Sequence, residues 1–357
     1  MSWGLYVHVP WCRFRCPYCA FVLQTSAPQV DTFLEQIRLR LAASDLVGSP
    51  ETLYIGGGTP SRLGPDGLGR LLDVLPRATD ETTVELNPED VDDVLLDTLL
   101  DHGVDRVSLG VQSFDPATAR RLGRARSATT APAAIERISR RFRSWSLDLI
   151  FGVDGQTPDA LKRDLERASL APHVSAYGLT IETETRFGRA RRNPAVDPDA
   201  WRVAYDTVVS TLEAAGLARY EVSNFARHGH ESRHNRRYWH PRGVWVGWGP
   251  GAHGRRADGT LVIESDDVEA WLNGAPPTLE APTPEHLATD WLHAGLRTRE
   301  GIDLSAMRRA LGWTPTLPSA LADHFVYADG RLSVRPESLA LVDGLAARLA
   351  LSYNSRS

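Results

Sequence analysis

Short apolar runs alternate with longer amphipathic ones through the first half of the chain. Runs at 5–9 (LYVHV), 52–56 (TLYIG), 82–87 (TTVELN), 105–110 (DRVSLG), 146–151 (SLDLIF) and 173–179 (HVSAYGL) read as strands. Helical patterns fall between them, near 31–45, 65–75, 91–102, 116–122 with 128–142, and 158–171. Strand then helix, repeated, implies parallel strands joined by crossovers. Six such units favour an α/β fold, a partial (β/α)6 barrel, over a doubly wound sheet. The pattern alone leaves both open.

A further helical pattern near 198–216 ends at Gly216, a residue suited to the position after a helix. Residues 219–253 are dense in Trp, His, Arg and Gly and read as strands and loops. Pro276, Pro277, Pro282 and Pro284 mark a linker. Beyond it, 284–297, 304–311, 317–324 and 337–350 look helical. FVYADGRLSV (325–334) sets an Asp-Gly turn between two β runs, a hairpin signal. The expected organisation is a barrel with its extension over 1–275 and a small helical, winged-helix-like domain over 280–357.

Composition narrows the class. Of 357 residues, 42% are hydrophobic and 24% charged, a globular balance and not a disordered one. Forty basic against 45 acidic residues leave a net charge of -5, which speaks against a global field built for nucleic acid. No apolar run approaches the ~20 residues of a membrane span. The opening MSWGLYVHVPWC lacks the basic and apolar regions of a signal peptide. A cytoplasmic protein is expected.

The three cysteines, Cys12, Cys16 and Cys19, lie together just after the first predicted strand. A clustered, odd-numbered set argues for metal or redox chemistry and against a disulfide framework. Structural zinc wants four ligands, usually in two separated pairs, and the one nearby candidate, His8, falls inside a strand. Three soft ligands suit a [4Fe–4S] cluster with one iron left open. The turn Gly56-Gly57-Gly58-Thr59-Pro60-Ser61 follows strand two, and its glycines let backbone approach a ligand closely. It lacks the Lys-Ser/Thr end of a phosphate-binding loop. Glu85 ends strand three, Gln112 follows strand four, Arg124 lies in LGRARS and Asp148 is on strand five. All but Arg124 fall where β/α barrels place their sites. Singly, each is as readily a cap or structural ion pair; their shared placement favours function.

The CxxxCxxC pattern after the first strand of a β/α chain resembles the radical S-adenosylmethionine (SAM) superfamily. That resemblance implies three irons on the cysteines and the fourth on the amino and carboxylate groups of SAM, which an electron cleaves to a 5′-deoxyadenosyl radical. YVHVPWC, CPYC, YIGGGTPS, ELNPE, RVSLGVQSFD, SLDLIFGVDGQT, YEVSNFAR, HNRRYW, GWGPGAH and AGLRTREGIDL extend the likeness over nearly the whole chain. Together they resemble the oxygen-independent coproporphyrinogen III oxidases and their relatives. By that resemblance Tyr6, Tyr18, Gly57, Gly58, Thr59, Glu85, Gln112, Arg124 and Asp148 line the SAM pocket, with His253 of GPGAH close to it.

Three features are similar to the HemW-type branch of haem chaperones and not to the oxidases. Ala20 and Phe21 follow Cys19 where the oxidases carry a fourth cysteine, and only eleven residues precede Cys12. His234-Asn235-Arg236-Arg237-Tyr238-Trp239 matches the HNxxYW pattern proposed in that branch to bind haem. There His234 would ligate iron, Tyr238 and Trp239 would pack on the porphyrin, and Arg233, Arg236 and Arg237 would pair with propionates. His228, His230, His240 and His253 compete for the iron. One departure is Ala20, where the branch usually has an acid beside the cluster. The branch implies haem as cargo for acceptor haemoproteins, such as a membrane respiratory enzyme, with the C-terminal domain covering the barrel mouth or contacting partners. The competing expectations are oxidative decarboxylation of coproporphyrinogen III, a radical SAM methyl transfer, and a zinc-bound or metal-free β/α protein.

Serine at Cys12, Cys16 and Cys19 together is expected to abolish the brown absorbance, iron and sulfide of anaerobically reconstituted protein. Full retention of iron and sulfide refutes the ligand assignment.

Overall fold

The structure, a computed structural model, describes residues 2–44, 46–190 and 196–354. Met1, Asp45, 191–195 and 355–357, which the expected 31–45 helix and the two domain spans include, lie outside the described residues.

Six parallel strands form the centre: β1 (Gly4–Val9), β2 (Thr52–Gly57), β3 (Glu81–Leu86), β4 (Arg106–Gln112), β5 (Ser144–Phe151) and β6 (His173–Gly178). Each pairs in parallel with the next, so spatial order equals sequence order. That is barrel order; a doubly wound sheet reverses at a switch point. The crossovers carry α1 (Val30–Ala43), α2 (Gly64–Val74), α3 (Asp93–Asp101), α4 (Pro116–Arg121), α5 (Ala125–Arg141) and α6 (Pro158–Ala168).

The strands alternate strictly. Leu5, Val7, Val9, Leu53, Ile55, Val84, Val107, Leu109, Leu147, Leu149 and Val174 are buried in the core between sheet and helices. The positions between them point inward: Tyr6, Tyr54, Glu85, Arg106, Ser108, Asp148, His173 and Ser175 line a cavity. A parallel strand covered on both faces usually reads as a continuous apolar run. These read with period two because one face meets helices and the other a polar cavity.

Helix α7 (Pro198–Ala214) returns the chain to the β6 edge, where β7 (Ala218–Arg219) and β8 (Asn224–Ala226) add antiparallel strands. The short α8 (Arg233–Tyr238) follows. At the other edge β9 (Trp245–Trp248) lies parallel to β1, and β10 (His253–Arg255), β11 (Leu261–Ile263) and β12 (Thr278–Glu280) extend the sheet antiparallel. Helix α9 (Val268–Leu272) packs over α1. The Pro-rich stretch therefore contains an edge strand, and 219–253 contains a helix that its composition, lacking periodicity, did not show.

A second core is built by α10 (Pro284–Leu296), β13 (Ile302–Asp303), α11 (Leu304–Leu311), β14 (Phe325–Ala328), β15 (Arg331–Val334) and α12 (Val342–Asn354). Three of its strands form an antiparallel sheet in the order β13-β15-β14. The Asp329-Gly330 turn has φ of 51° and 74°, the doubly left-handed turn that matches strand twist. The stretches 319–324 and 336–341 are 3-10 turns, not α-helix. Local chemistry sets the helix starts: Asp115-Pro116, Thr157-Pro158, Asp197-Pro198 and Thr283-Pro284 each pair a side-chain cap with proline at the first helical position.

Phe33 on α1 is fully buried, with its ring 5.4 Å from that of Trp11 and 5.3 Å from that of Trp271 on α9. Phe33→Ala is expected to cost about 3–5 kcal/mol, seen as a lower denaturant midpoint at unchanged slope.

Candidate functional site

The barrel encloses a cavity of about 620 Å³ running from the strand ends, where the cysteines lie, down to the strand starts. After β1 the chain makes a loop closed at its base by Cys12 N donating to Gln24 O (2.9 Å) and Gln24 N donating to Pro10 O (2.6 Å). Arg15 spans the loop, donating to the carbonyls of Leu23 (2.8 Å) and Phe21 (3.2 Å). Cys19 N donates to Cys16 O (3.2 Å), a tight turn that turns both residues to the cavity. All three thiols are free of disulfides and line it. Burial raises the Cys12 thiol to about 11, opposed by the Thr59 hydroxyl 3.1 Å from its sulfur, and pushes Cys19 up as well. Both therefore hold protons that metal must displace.

Among the described residues, no group of three or more His, Cys, Asp or Glu side chains is arranged to hold a metal ion. Three soft donors on one loop around open space, without a fourth protein donor, fit a cluster with one open iron better than a closed zinc cage.

The residues expected around SAM converge beside this loop. Gly57 has φ +105°, and a Cβ there would lie 2.7 Å from the His8 ring; at Gly58 it would lie 2.9 Å from the carbonyls of Trp11 and Val9. Neither position admits a side chain. Glu85 accepts from Gly57 N (3.1 Å) and from the Tyr54 hydroxyl (2.6 Å). Burial raises its carboxyl to about 7, the Tyr54 bond opposing. Thr59 also accepts from Asn87 Nδ2 (2.9 Å), and Arg124 donates to Asn87 Oδ1 (2.5 Å) and Gly110 O (2.6 Å). Gln112 holds φ of 70° at an irregularity between β4 and β5, a strained non-glycine position of the kind that re-aims a side chain at a site. Asp148 accepts from Ser108 Oγ (3.0 Å), and burial raises its carboxyl. Tyr18 and Tyr6 line the same space. The Tyr6 hydroxyl donates to His8 Nδ1 (3.0 Å), because His8 Nε2 must carry the proton given to Val22 O (2.7 Å).

The haem pattern lies elsewhere. α8 packs on the starts of the strands, at the opposite end from the cysteines. Glu81 at the start of β3 accepts from Arg233 N (2.9 Å) and His234 N (3.1 Å), capping the helix. Arg237 pairs with Glu51 (2.5 Å). His234 is 1% exposed, with Nδ1 2.8 Å from Thr52 Oγ1 and Nε2 2.8 Å from the Tyr238 hydroxyl. Burial pushes it down to about 3, so it is neutral with both ring nitrogens engaged. His234, Asn235 and Tyr238 line the far end of the cavity; Trp239 does not, lying instead with Arg297 4.4 Å over its ring. His253 is exposed on β10 and does not line the cavity. His228 and His240 are exposed and His230 is half-buried. Sequence reasoning passed over Asn87, Arg106 and His173, although polar residues at alternate positions of buried strands were the available signal.

A family model, the Radical SAM superfamily, matches residues 6–168. The sequential parallel barrel with three thiols at the mouth is that of a radical SAM protein. The likeness in fold covers 99% of this chain and 90% of coproporphyrinogen III oxidase (HemN) from Escherichia coli, with a TM-score of 0.82 at 20% identity. Among curated relatives, the heme chaperone HemW of Mycobacterium tuberculosis is 38% identical over 342 residues, 86% of this chain and 84% of the relative. HemW of Bacillus subtilis is 33% identical over 89% of this chain and 90% of its own length. The chain belongs to the HemW family.

Because Glu85 takes its proton more readily folded than unfolded, it stabilises the fold in acid and loses that contribution as pH rises from 4.5 through about 7. Melting temperatures of wild type and Glu85→Gln are expected to lie close at pH 4.5 and to separate progressively above it. Above pH 7 the wild type is expected to fall below the variant; parallel curves would contradict the assignment.

Proposed function

We propose that this protein is a haem chaperone that holds a [4Fe–4S] cluster and SAM in the barrel and carries haem to acceptor haemoproteins. The observation that carries this reading is 33–38% identity with proteins named heme chaperone HemW over more than four-fifths of chain and relative. Cys12, Cys16 and Cys19 would hold three irons, with Thr59 orienting the Cys12 sulfur. A cluster held there would supply the electron for reductive cleavage of SAM. Glu85, Gln112, Arg124 and Asp148 surround the space left for SAM beside it. The cationic groups of SAM would favour the charged forms of Glu85 and Asp148, whose carboxyls burial raises.

Haem is assigned to the α8 segment. Arg233 and Arg236 are exposed there and hold only surface carboxylates, Asp80 and Glu300. Surface pairs are weak and yield to propionates. Iron ligation by His234 requires it to surrender Thr52 or Tyr238, so α8 withdraws from the barrel base as haem binds. No helix among the described residues is long and apolar enough to cross a membrane. A membrane-bound acceptor, such as a respiratory enzyme, is therefore met by docking of the described part.

Anaerobic titration of the reconstituted protein with haem, followed in the Soret band beside His234→Ala, tests this. One saturable site weakened at least about tenfold is expected, the loss of one metal bond with folding verified by circular dichroism. Saturable binding indifferent to the substitution moves the ligand to another residue. No specific binding overturns the chaperone, and porphyrinogen decarboxylation and methyl transfer become the activities to assay.

A further inference from the structure

The cavity has a floor that the SAM site does not use. Arg106, the first residue of β4, is 3% exposed and lines this floor, yet its Nε has no hydrogen-bond partner, and no carboxylate of the described residues pairs with it. His173, the first residue of β6, is 1% exposed, lines the same floor and has an unpartnered Nδ1.

The hydrogen-bond chain fixes what that nitrogen offers. Asn235 Nδ2 (3.4 Å) and the Ser232 backbone N–H both donate to the Tyr220 hydroxyl, so its own proton goes to His173 Nε2 (2.9 Å). Nε2 is then the acceptor, and Nδ1 carries the ring's only proton. Burial and the charge of Arg106 hold the imidazole neutral. The floor therefore presents a guanidinium and an imidazole N–H, both able to donate. Leaving a cation without an ion-pair partner and an imidazole N–H without an acceptor in a buried place is costly, and an anion relieves both at once.

We propose that the barrel floor is a second ligand site, which takes a carboxylate on Arg106 with His173 as a further donor. It lies well below Arg124, the cation among the residues assigned to SAM, which donates to Gly110 O (2.6 Å). Arg106 stands four residues before Gly110 on β4, about 13 Å down the strand at roughly 3.3 Å per residue. A single cation, facing Glu85 and Asp148 higher in the same cavity, suits a monoanion and not a dianionic phosphate. The carboxylate belongs either to a small free acid or to a slender arm of a larger ligand, such as a propionate of a tetrapyrrole. The floor site does not rest on the haem reading and stands if that reading fails.

Cluster-reconstituted, SAM-saturated protein is titrated with sodium propionate by calorimetry and thermal melting. Saturable binding is expected, weakened at least about tenfold by Arg106→Gln and partly restored by Arg106→Lys, the charge-assisted bonds being the ones removed. Iron content and SAM affinity are expected to stay within about twofold. Without propionate, Arg106→Gln is expected to melt no lower than wild type, because it deletes an unpaired buried charge. Haem affinity separates the two sources: unchanged in Arg106→Gln for a free acid, tenfold weaker for a propionate arm. A marked loss of melting temperature in Arg106→Gln makes the residue structural and overturns the site. So does the absence of propionate binding together with haem affinity indifferent to the variant. His173→Phe, which deletes the Nδ1 donor at similar size, is a second variant with the same expected loss of propionate binding.

Discussion

Everything in this molecule depends on a sheet whose two faces have opposite chemistry. Six neighbouring strands place Leu, Val and Ile outward against the crossover helices and Tyr, Glu, Arg, Ser, Asp and His inward. A one-residue slip in any strand would exchange the faces, so the register of each is pinned by burial. A barrel with a polar interior cannot be filled by its own side chains at the density of a core. It keeps a cavity instead, and each inward group must find a partner there. Most do so in pairs: Tyr54 with Glu85 and Ser108 with Asp148 across neighbouring strands, and Asn87 with Arg124 just beyond the strand ends.

The two ends of the barrel solve different problems. At the mouth, a loop with little secondary structure is held by backbone bonds at its base and by Arg15 across it, so three thiols face one space. Close packing of Gly57 and Gly58 against His8 and the β1 end brings the second strand's turn up to that loop. At the base, α8 closes the strand starts through Glu81, Thr52 and Glu51. The pattern associated with haem is thus also the barrel's plug, and what moves one moves the other.

The plug is tied to the second core as well. Arg297 after α10 lies over Trp239, pairs with Asp343 on α12 (2.9 Å) and sits 4.0 Å from buried Glu221. Arg236 on α8 pairs with Glu300, and Arg219 on β7 donates to Pro336 O (2.8 Å). The C-terminal elements therefore pack around the base of the barrel, where α8 lies. The expectation that they cover the mouth finds no support in these contacts. A ligand that displaced α8 would loosen this seam.

The sequence by itself determined the six strands, their helices and the hairpin, because period-two and helical patterns are local and Asp-Pro, Thr-Pro and Asp-Gly punctuate them. It also determined the cysteine cluster and the inward residues near the strand ends, since spacing of a few residues along one loop or strand survives folding intact. It did not determine that the strands close in barrel order, that residues 233–238 form a helix, or that His234 spends both nitrogens on the protein. Nor did it set Arg106 and His173, separated by most of two crossovers, on one floor. Those facts depend on which distant segments meet, and hydrogen-bond satisfaction of a buried group is decided only by its neighbours in space.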